Sequence, residues 1–237
     1  MGEDILQTDP DSTHVRSALK NLDFLVVQEI FMTETARMAN VVLPASSHLE
    51  KSGTFTNGER RIQKVNQVIE PLAGTKADGQ IIVDIMNRMG YEQQGYDPAN
   101  HLQEISKVVP FFAGVSWNSL GDNGKQWPVA DDGSDTKVLH SDEFKRGRGQ
   151  FVFTHFYETP EVTGNDVKDY PFILTTGRRL QHYNCGSMPR RTANIEIIDK
   201  DLLLINPDDA QDYSIHDNDR VEVRSRQGKT HLSAQLS

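Results

Sequence analysis

Residues 175–191 read TTGRRLQHYNCGSMPRR. They hold four arginines and one histidine, and no acidic residue falls between Asp169 and Glu196, in a chain whose formal net charge is −9. Positive charge gathered this way after an apolar run points to an anion. Gly177 allows close approach of a ligand to the backbone. Arg178, Arg179, Arg190 and Arg191 supply planar donor pairs that can each hold two phosphate oxygens. His182 and Tyr183 add ring faces with polar tips. Together these types suit a pyrophosphate carrying a flat ring. The competing reading is a solvated loop whose arginines pair with Asp208, Asp209 or Asp212.

A second basic stretch, KSGTFTNGERRIQK at 51–64, sets Lys51, Arg60, Arg61 and Lys64 against Glu59 alone. Phosphate-facing and solvated-loop readings both apply, and the spacing is not that of a P-loop. Gln28 and Glu29 end an apolar run. The carboxyl edge of such strands is where open α/β sheets bind ligands, and a carboxylate there can accept from ribose hydroxyls or guanine N–H groups. Asp78 can cap a helix, contact a ligand, or do both. No nucleophile–base pair and no metal-binding histidine spacing stands out. The single cysteine, Cys185, excludes an internal disulfide and a four-thiolate cluster held by this chain alone.

These residues need elements to hold them. DSTHVRSALKNL at 11–22 has helical spacing of Val15, Ala18, Leu19 and Leu22, with Asp11 or Ser12 as cap. DFLVVQEIF at 23–31 and NVVLP at 40–44 read as strands buried on both faces, joined by a helix at TETARMA with Thr33 as cap. This is the α/β signature of a parallel sheet. A helix is expected over 78–89, with Ile81, Ile82, Ile85, Met86 and Met89 as its apolar stripe. Residues 45–64 read as polar and basic, and 91–169 as irregular with short strands such as QFVFTHF. From 170 onward PFILTT and DLLLI read as strands. Asn206-Pro207 opens a short helix, and DRVEVRSRQGKTHLSAQL reads as a hairpin around Gln227-Gly228. Short strands with one small helix predict a β-barrel.

The 237 residues suffice for one large or two smaller domains. Acidity argues against a nucleic-acid partner. No apolar stretch approaches the length of a membrane span. MGEDILQTDPDS lacks the basic and apolar regions of a secretory signal, so the expected location is cytoplasmic.

The ordered set MGEDILQTDPD, ETARMANVVLPASSHLEKSGTFTNGERRIQ, GKQWP, YPFILTTGRRLQHYNCGSMPRR and INPDDAQDYSIHDNDRVEVRSRQG resembles the molybdopterin oxidoreductase superfamily, in particular formate dehydrogenase catalytic alpha subunits. The resemblance implies residues 1–110 in the α/β domain, 111–168 as a connecting region and 169–237 in an incomplete dinucleotide-binding β-barrel. It implies two molybdopterin guanine dinucleotides holding one molybdenum or tungsten. Thr176, Gly177, Arg178, Arg179, Leu180, Gln181, His182, Tyr183, Asn184 and Cys185 would line one dinucleotide. Glu3, Gln28, Glu29, Lys51 and Asp78 fall at other family contact positions, and both basic stretches would neutralise phosphates. Asn184 and Cys185 stand where the family often has His and Thr, and Gly79 replaces a common Trp. The family's 4Fe-4S cluster cysteines, metal-ligating residue and catalytic His lie upstream of the matched region. The chain is therefore expected to be a fragment without catalytic or metal-ligating residues of its own, inactive in isolation. Its expected partners are the rest of the catalytic subunit and electron-transfer subunits carrying iron–sulfur or flavin groups. Formate would be the substrate and NAD or another carrier the acceptor. Alternatives are a nitrate reductase-like enzyme, another member of the superfamily, or a non-catalytic binding protein.

Overall fold

Strand β1 (Val26–Glu29) and strand β2 (Val41–Pro44) pair in parallel, Val26 opposite Val41 and Glu29 opposite Pro44. Helix α3 (Glu34–Arg37) crosses between them, its start fixed by the Thr33 hydroxyl, which accepts from the Ala36 N–H at 3.2 Å. Ahead of this unit lie α1 (Ile5–Thr8) and α2 (Ser12–Lys20), the latter capped by the Asp11 carboxylate, which accepts from the His14 N–H. This computed structural model describes residues 1–144, 146–158 and 168–237. The chain forms two units, Met1–Gly149 and Gln150–Ser237.

The βαβ order follows the sequence expectation, but burial on both faces does not. Val27 and Gln28 are buried, while Val26 and Val41 stay 46% and 39% exposed. Nor is any residue of α2 fully buried. Past β2 the chain continues through a parallel bridge from Ala45 to Lys76, which delivers it to α4 (Asp78–Arg88). Of α4's expected stripe only Ile81 is buried, together with Val83, and Ile82, Ile85 and Met89 are exposed. Periodicity finds an apolar stripe; how deep it lies depends on what packs there.

The main core of the first unit sits where irregular chain was expected. Strand β3 (Gly53–Thr56) and strand β4 (Arg61–Val65) form an antiparallel hairpin, extended by β5 (Lys125–Gln126). Helix α5 (Pro98–Val108) joins it. Ile62, Leu102, Val115, Leu120 and Val129 make one buried cluster, flanked by Phe112, Trp117 and Trp127. Two signals for these elements are in the sequence. Asn57-Gly58 is the dipeptide that tight hairpins favour. Asp97-Pro98 is a cap followed by first-turn proline, and the Asp97 carboxylate accepts from the Ala99 N–H at 2.9 Å.

The second unit holds α6 (Asn194–Ile197), β6 (Leu202–Ile205), α7 (Pro207–Asp212), β7 (Arg220–Arg224) and β8 (Lys229–Leu236). Its sheet runs β6-β8-β7, parallel between β6 and β8 and antiparallel between β7 and β8. The hairpin and the Asn206 cap match expectation, the Asn206 side chain accepting from the Asp208 N–H at 2.8 Å. The expected strands at 150–156 and 171–176 join no sheet among the described residues. The sheet is accordingly open among those residues, not closed into a barrel.

Candidate cofactor site

In the first unit three predicted residues meet. Gln28 is buried at the third position of β1. Its amide Nε2 donates to Asp78 Oδ1 at 2.7 Å, and Lys51 Nζ donates to Asp78 Oδ2 and to the Ser46 carbonyl at 3.1 Å. Asp78 does not cap α4: Ala77 holds the cap position, and the Asp78 carboxylate turns to Lys51 and Gln28 instead. Burial pushes this carboxyl up, but the Lys51 ammonium and the Gln28 amide outweigh it and leave its pKa lowered. The result is a charged pair, partly open to solvent, at the carboxyl end of a parallel strand. Ser46 Oγ beside it is buried without a hydrogen-bond partner among the described residues, an orphan polar atom of the kind that calls for a ligand or water.

Glu29 and Glu3 do not join this cluster. Glu29 accepts from the N–H of its neighbour Ile30. Glu3 is exposed and accepts from the Thr8 hydroxyl. In the Gly2-Glu3-Asp4 turn it is Asp4 that is buried, accepting from the Thr35 N–H at 3.0 Å and the Thr35 hydroxyl at 2.6 Å. That ties the amino-terminal turn to α3. The Gly2 N–H donates to the Gln28 carbonyl at 2.9 Å, which fixes the turn against β1.

The rest of the 51–64 cluster is half-buried and engaged within its own unit. Arg60 donates to the carbonyls of Trp127, Thr136 and Lys137. Arg61 pairs with Glu59 at 2.6 Å. Lys64 lies over the Trp117 ring at 5.7 Å. These contacts staple the hairpin to residues 117–137.

In the second unit the 176–185 loop is closed on itself from beneath. His182 is buried, and its Nε2 lies 2.7 Å from the Ile198 carbonyl, so Nε2 carries the proton and donates. Its Nδ1 is buried with no partner among the described residues. Asn194 Nδ2 donates to the Gln181 carbonyl at 3.0 Å, and Arg178 donates to the Tyr183 carbonyl at 3.1 Å. Tyr183, at φ 59°, turns the chain outward, and Leu180, Tyr183 and Asn184 are exposed. Cys185 Sγ touches Ser187 Oγ at 3.5 Å.

Three of the four arginines are thus engaged within the unit, Arg178 by the Tyr183 carbonyl and the other two further along the chain. Arg190 is held by both oxygens of Asp201 at 3.0 Å, and Arg191 donates to the Ser187 carbonyl. Among the described residues Arg190 forms its ion pair with Asp201 and not with Asp208, Asp209 or Asp212. The Arg179 side chain and the N–H groups of Gly177, Arg178 and Arg179 have no partner among the described residues. These backbone donors lie in an exposed extended segment beside a guanidinium, a donor set whose chemistry would suit the diphosphate of a dinucleotide. Among the described residues no cluster of His, Cys, Asp or Glu could hold a metal. No helix among them is long and apolar enough to cross a membrane.

Comparisons with known proteins fall on the same two regions. Residues 1–88 match the molybdopterin oxidoreductase family, and residues 172–237 match the molydopterin dinucleotide binding domain. The F420-dependent formate dehydrogenase subunit alpha of Methanocaldococcus jannaschii is 43% identical over all of this chain, which covers 36% of that protein. A formate dehydrogenase 2 subunit alpha of Methanococcus maripaludis is 40% identical with the same coverage. A putative formate dehydrogenase of Staphylococcus aureus is 36% identical over the whole chain, which covers 24% of it. The chain therefore spans about a quarter to a third of the length of these relatives. Acetylene hydratase from Pelobacter acetylenicus shares the fold over 96% of this chain and 33% of its own, with a TM-score of 0.65 at 22% identity. With similarity to formate dehydrogenase alpha subunits unbroken along the chain, residues 1–88 carry the molybdopterin oxidoreductase domain and residues 172–237 the dinucleotide-binding domain.

Proposed function

We propose that the chain is the cofactor-orienting part of a formate dehydrogenase catalytic subunit. One observation carries the reading: identity of 43% to a formate dehydrogenase alpha subunit runs through the whole chain, not only through its two family domains. When bound, a pair of molybdopterin guanine dinucleotides with molybdenum or tungsten supplies the two-electron chemistry that oxidises formate to CO2. The residues of this chain bind and orient. Gly177, Arg178 and Arg179 neutralise a diphosphate. His182, pinned through Nε2, holds the loop's depth and offers Nδ1 as an acceptor. Thr176, Leu180, Gln181, Tyr183, Asn184 and Cys185 complete that loop's contact surface. Asp78, Lys51 and Gln28 present fixed polar groups to the nucleotide end of a dinucleotide, with Glu29 and Glu3 at the margin. Iron–sulfur clusters and electron-transfer subunits lie outside this chain in this reading. The names of the archaeal relatives make F420 the acceptor to try first, ahead of NAD. The enzyme would work in the cytoplasm.

The test is the complete subunit purified from its host. Acid hydrolysis should release GMP, and formate should reduce an artificial acceptor. Arg178→Ala should lower cofactor retention about tenfold or more, the range for losing a charge-assisted contact. A protein that releases no GMP, or that carries the cofactor but leaves formate unoxidised, overturns the assignment.

A further inference from the structure

Gly79 occupies the second position of α4, beside Asp78. A Cβ there would collide with Cδ2, Cε2 and Cζ of Tyr96, so only glycine admits this ring. Tyr96 comes from the segment between α4 and α5. Its N–H donates to Gln80 Oε1 at 3.2 Å, and its ring leans on His101 with centroids 5.3 Å apart. Its hydroxyl reaches across to β3, 4.0 Å from where a Gly53 Cβ would stand. One half-buried ring therefore bridges the start of α4 and the start of β3, alongside the Asp78–Lys51 pair.

The polar groups nearest Asp78 are engaged: Gln28 and Lys51 both donate to its carboxylate. The Tyr96 hydroxyl is different, since it makes no hydrogen bond among the described residues. Burial, with the Asp78 and Asp97 carboxylates behind it, raises the Tyr96 pKa and keeps the phenol protonated. A phenol with an unused O–H beside an ion pair has the make-up of a ligand contact, a flat wall with a donor at its tip.

We propose that Tyr96 is a nucleotide-contacting residue of the Asp78–Lys51–Gln28 site, its ring walling the ligand and its O–H donating to a base or ribose oxygen. Gly79 is then the residue that makes room for it. The assignment rests on the cofactor reading above and adds to it a donor that comes from outside the matched family region, which ends at residue 88.

The test uses the complete cofactor-loaded protein and follows GMP-releasable cofactor during prolonged dialysis. Tyr96→Phe keeps the ring and removes only the donor. It should speed cofactor loss about fivefold to tenfold, the range of one neutral hydrogen bond, with an unchanged melting temperature for the cofactor-stripped protein. Gly79→Ala should expel the ring and lower both retention and melting temperature. The double variant Gly79→Ala/Tyr96→Ala should recover the melting temperature but not the retention. Loss from Tyr96→Phe at the rate of the unsubstituted protein overturns the Tyr96 assignment alone. Absence of GMP in the unsubstituted protein overturns the cofactor reading, and this assignment with it.

Discussion

Lys51 and Asp78 lie 27 residues apart in the chain and meet as an ion pair whose side chains keep 21% and 37% of their exposure. Solvent reaching both groups screens the pair, so its net worth is about 1 kcal/mol rather than the several that a fully buried pair could lose. Its pH dependence is specific. The Asp78 carboxyl is lowered, so its contribution is complete above the ordinary carboxylate range and disappears as pH falls through the lowered value. Lys51→Met removes the stronger of its two partners and lets burial push Asp78 up. The acid unfolding midpoint of the first unit should then move to higher pH, as read by circular dichroism along a pH titration. A midpoint that stays put would mean the pair contributes nothing in solution. At this scale the sequence displayed residue types but not pairings. Four arginines between 178 and 191 looked equivalent, and the fold engages Arg190 with Asp201 while leaving Arg179 open. Tyr96 gave no signal at all, because the glycine that admits it stands 17 positions earlier.

Elements announced by a local chemical mark were legible, as with the Thr33, Asp11 and Asn206 caps, whose side-chain bonds form where the residue types placed them. Elements that depend on distant packing were not. Strand β4 has one buried residue, Ile62, set among charged and polar neighbours, and its partners Leu102, Val115, Leu120 and Val129 come from 40 or more residues away. No window of local periodicity could show that convergence. Ile62 is 1% exposed at the centre of this cluster. Ile62→Ala should cost about 3 kcal/mol by lost transfer energy and residual cavity. Ile82→Ala, on the exposed side of α4, should change stability by less than about 1 kcal/mol. Urea unfolding of both variants checks the pair of numbers, and equal effects would mean that the Ile62 cluster is not the organising core.

The two units differ in how much they bury. Buried apolar side chains of the first unit come from Leu6 through Val129, whereas the second unit buries only Ala210 and Ala234 among the described residues. The second unit also leaves Phe151, Val152, Phe153 and Phe156 more than three-quarters exposed, with Phe172, Ile173 and Leu174 at least half exposed. Burial of large side chains is the main favourable term in folding, at about 25 cal/mol per Å². A unit held by two alanines, one histidine and a three-stranded sheet therefore sits low on the stability scale. Binding a ligand to the folded form alone raises stability by mass action, by about 2.7 kcal/mol at a hundredfold excess over Kd. If loop 176–185 grips a diphosphate, the second unit should gain most from the cofactor. Hydrogen exchange on stripped and loaded protein resolves this unit by unit. Amides of β6 and β8 should exchange much faster than those of β4 in the stripped protein, and slow by about tenfold or more on loading. Amides of β4 should change little, because their protection comes from the Ile62 cluster. Equal protection in both units without cofactor would show that a core of small side chains suffices, and that the arginine turn is not what the second unit depends on for its order.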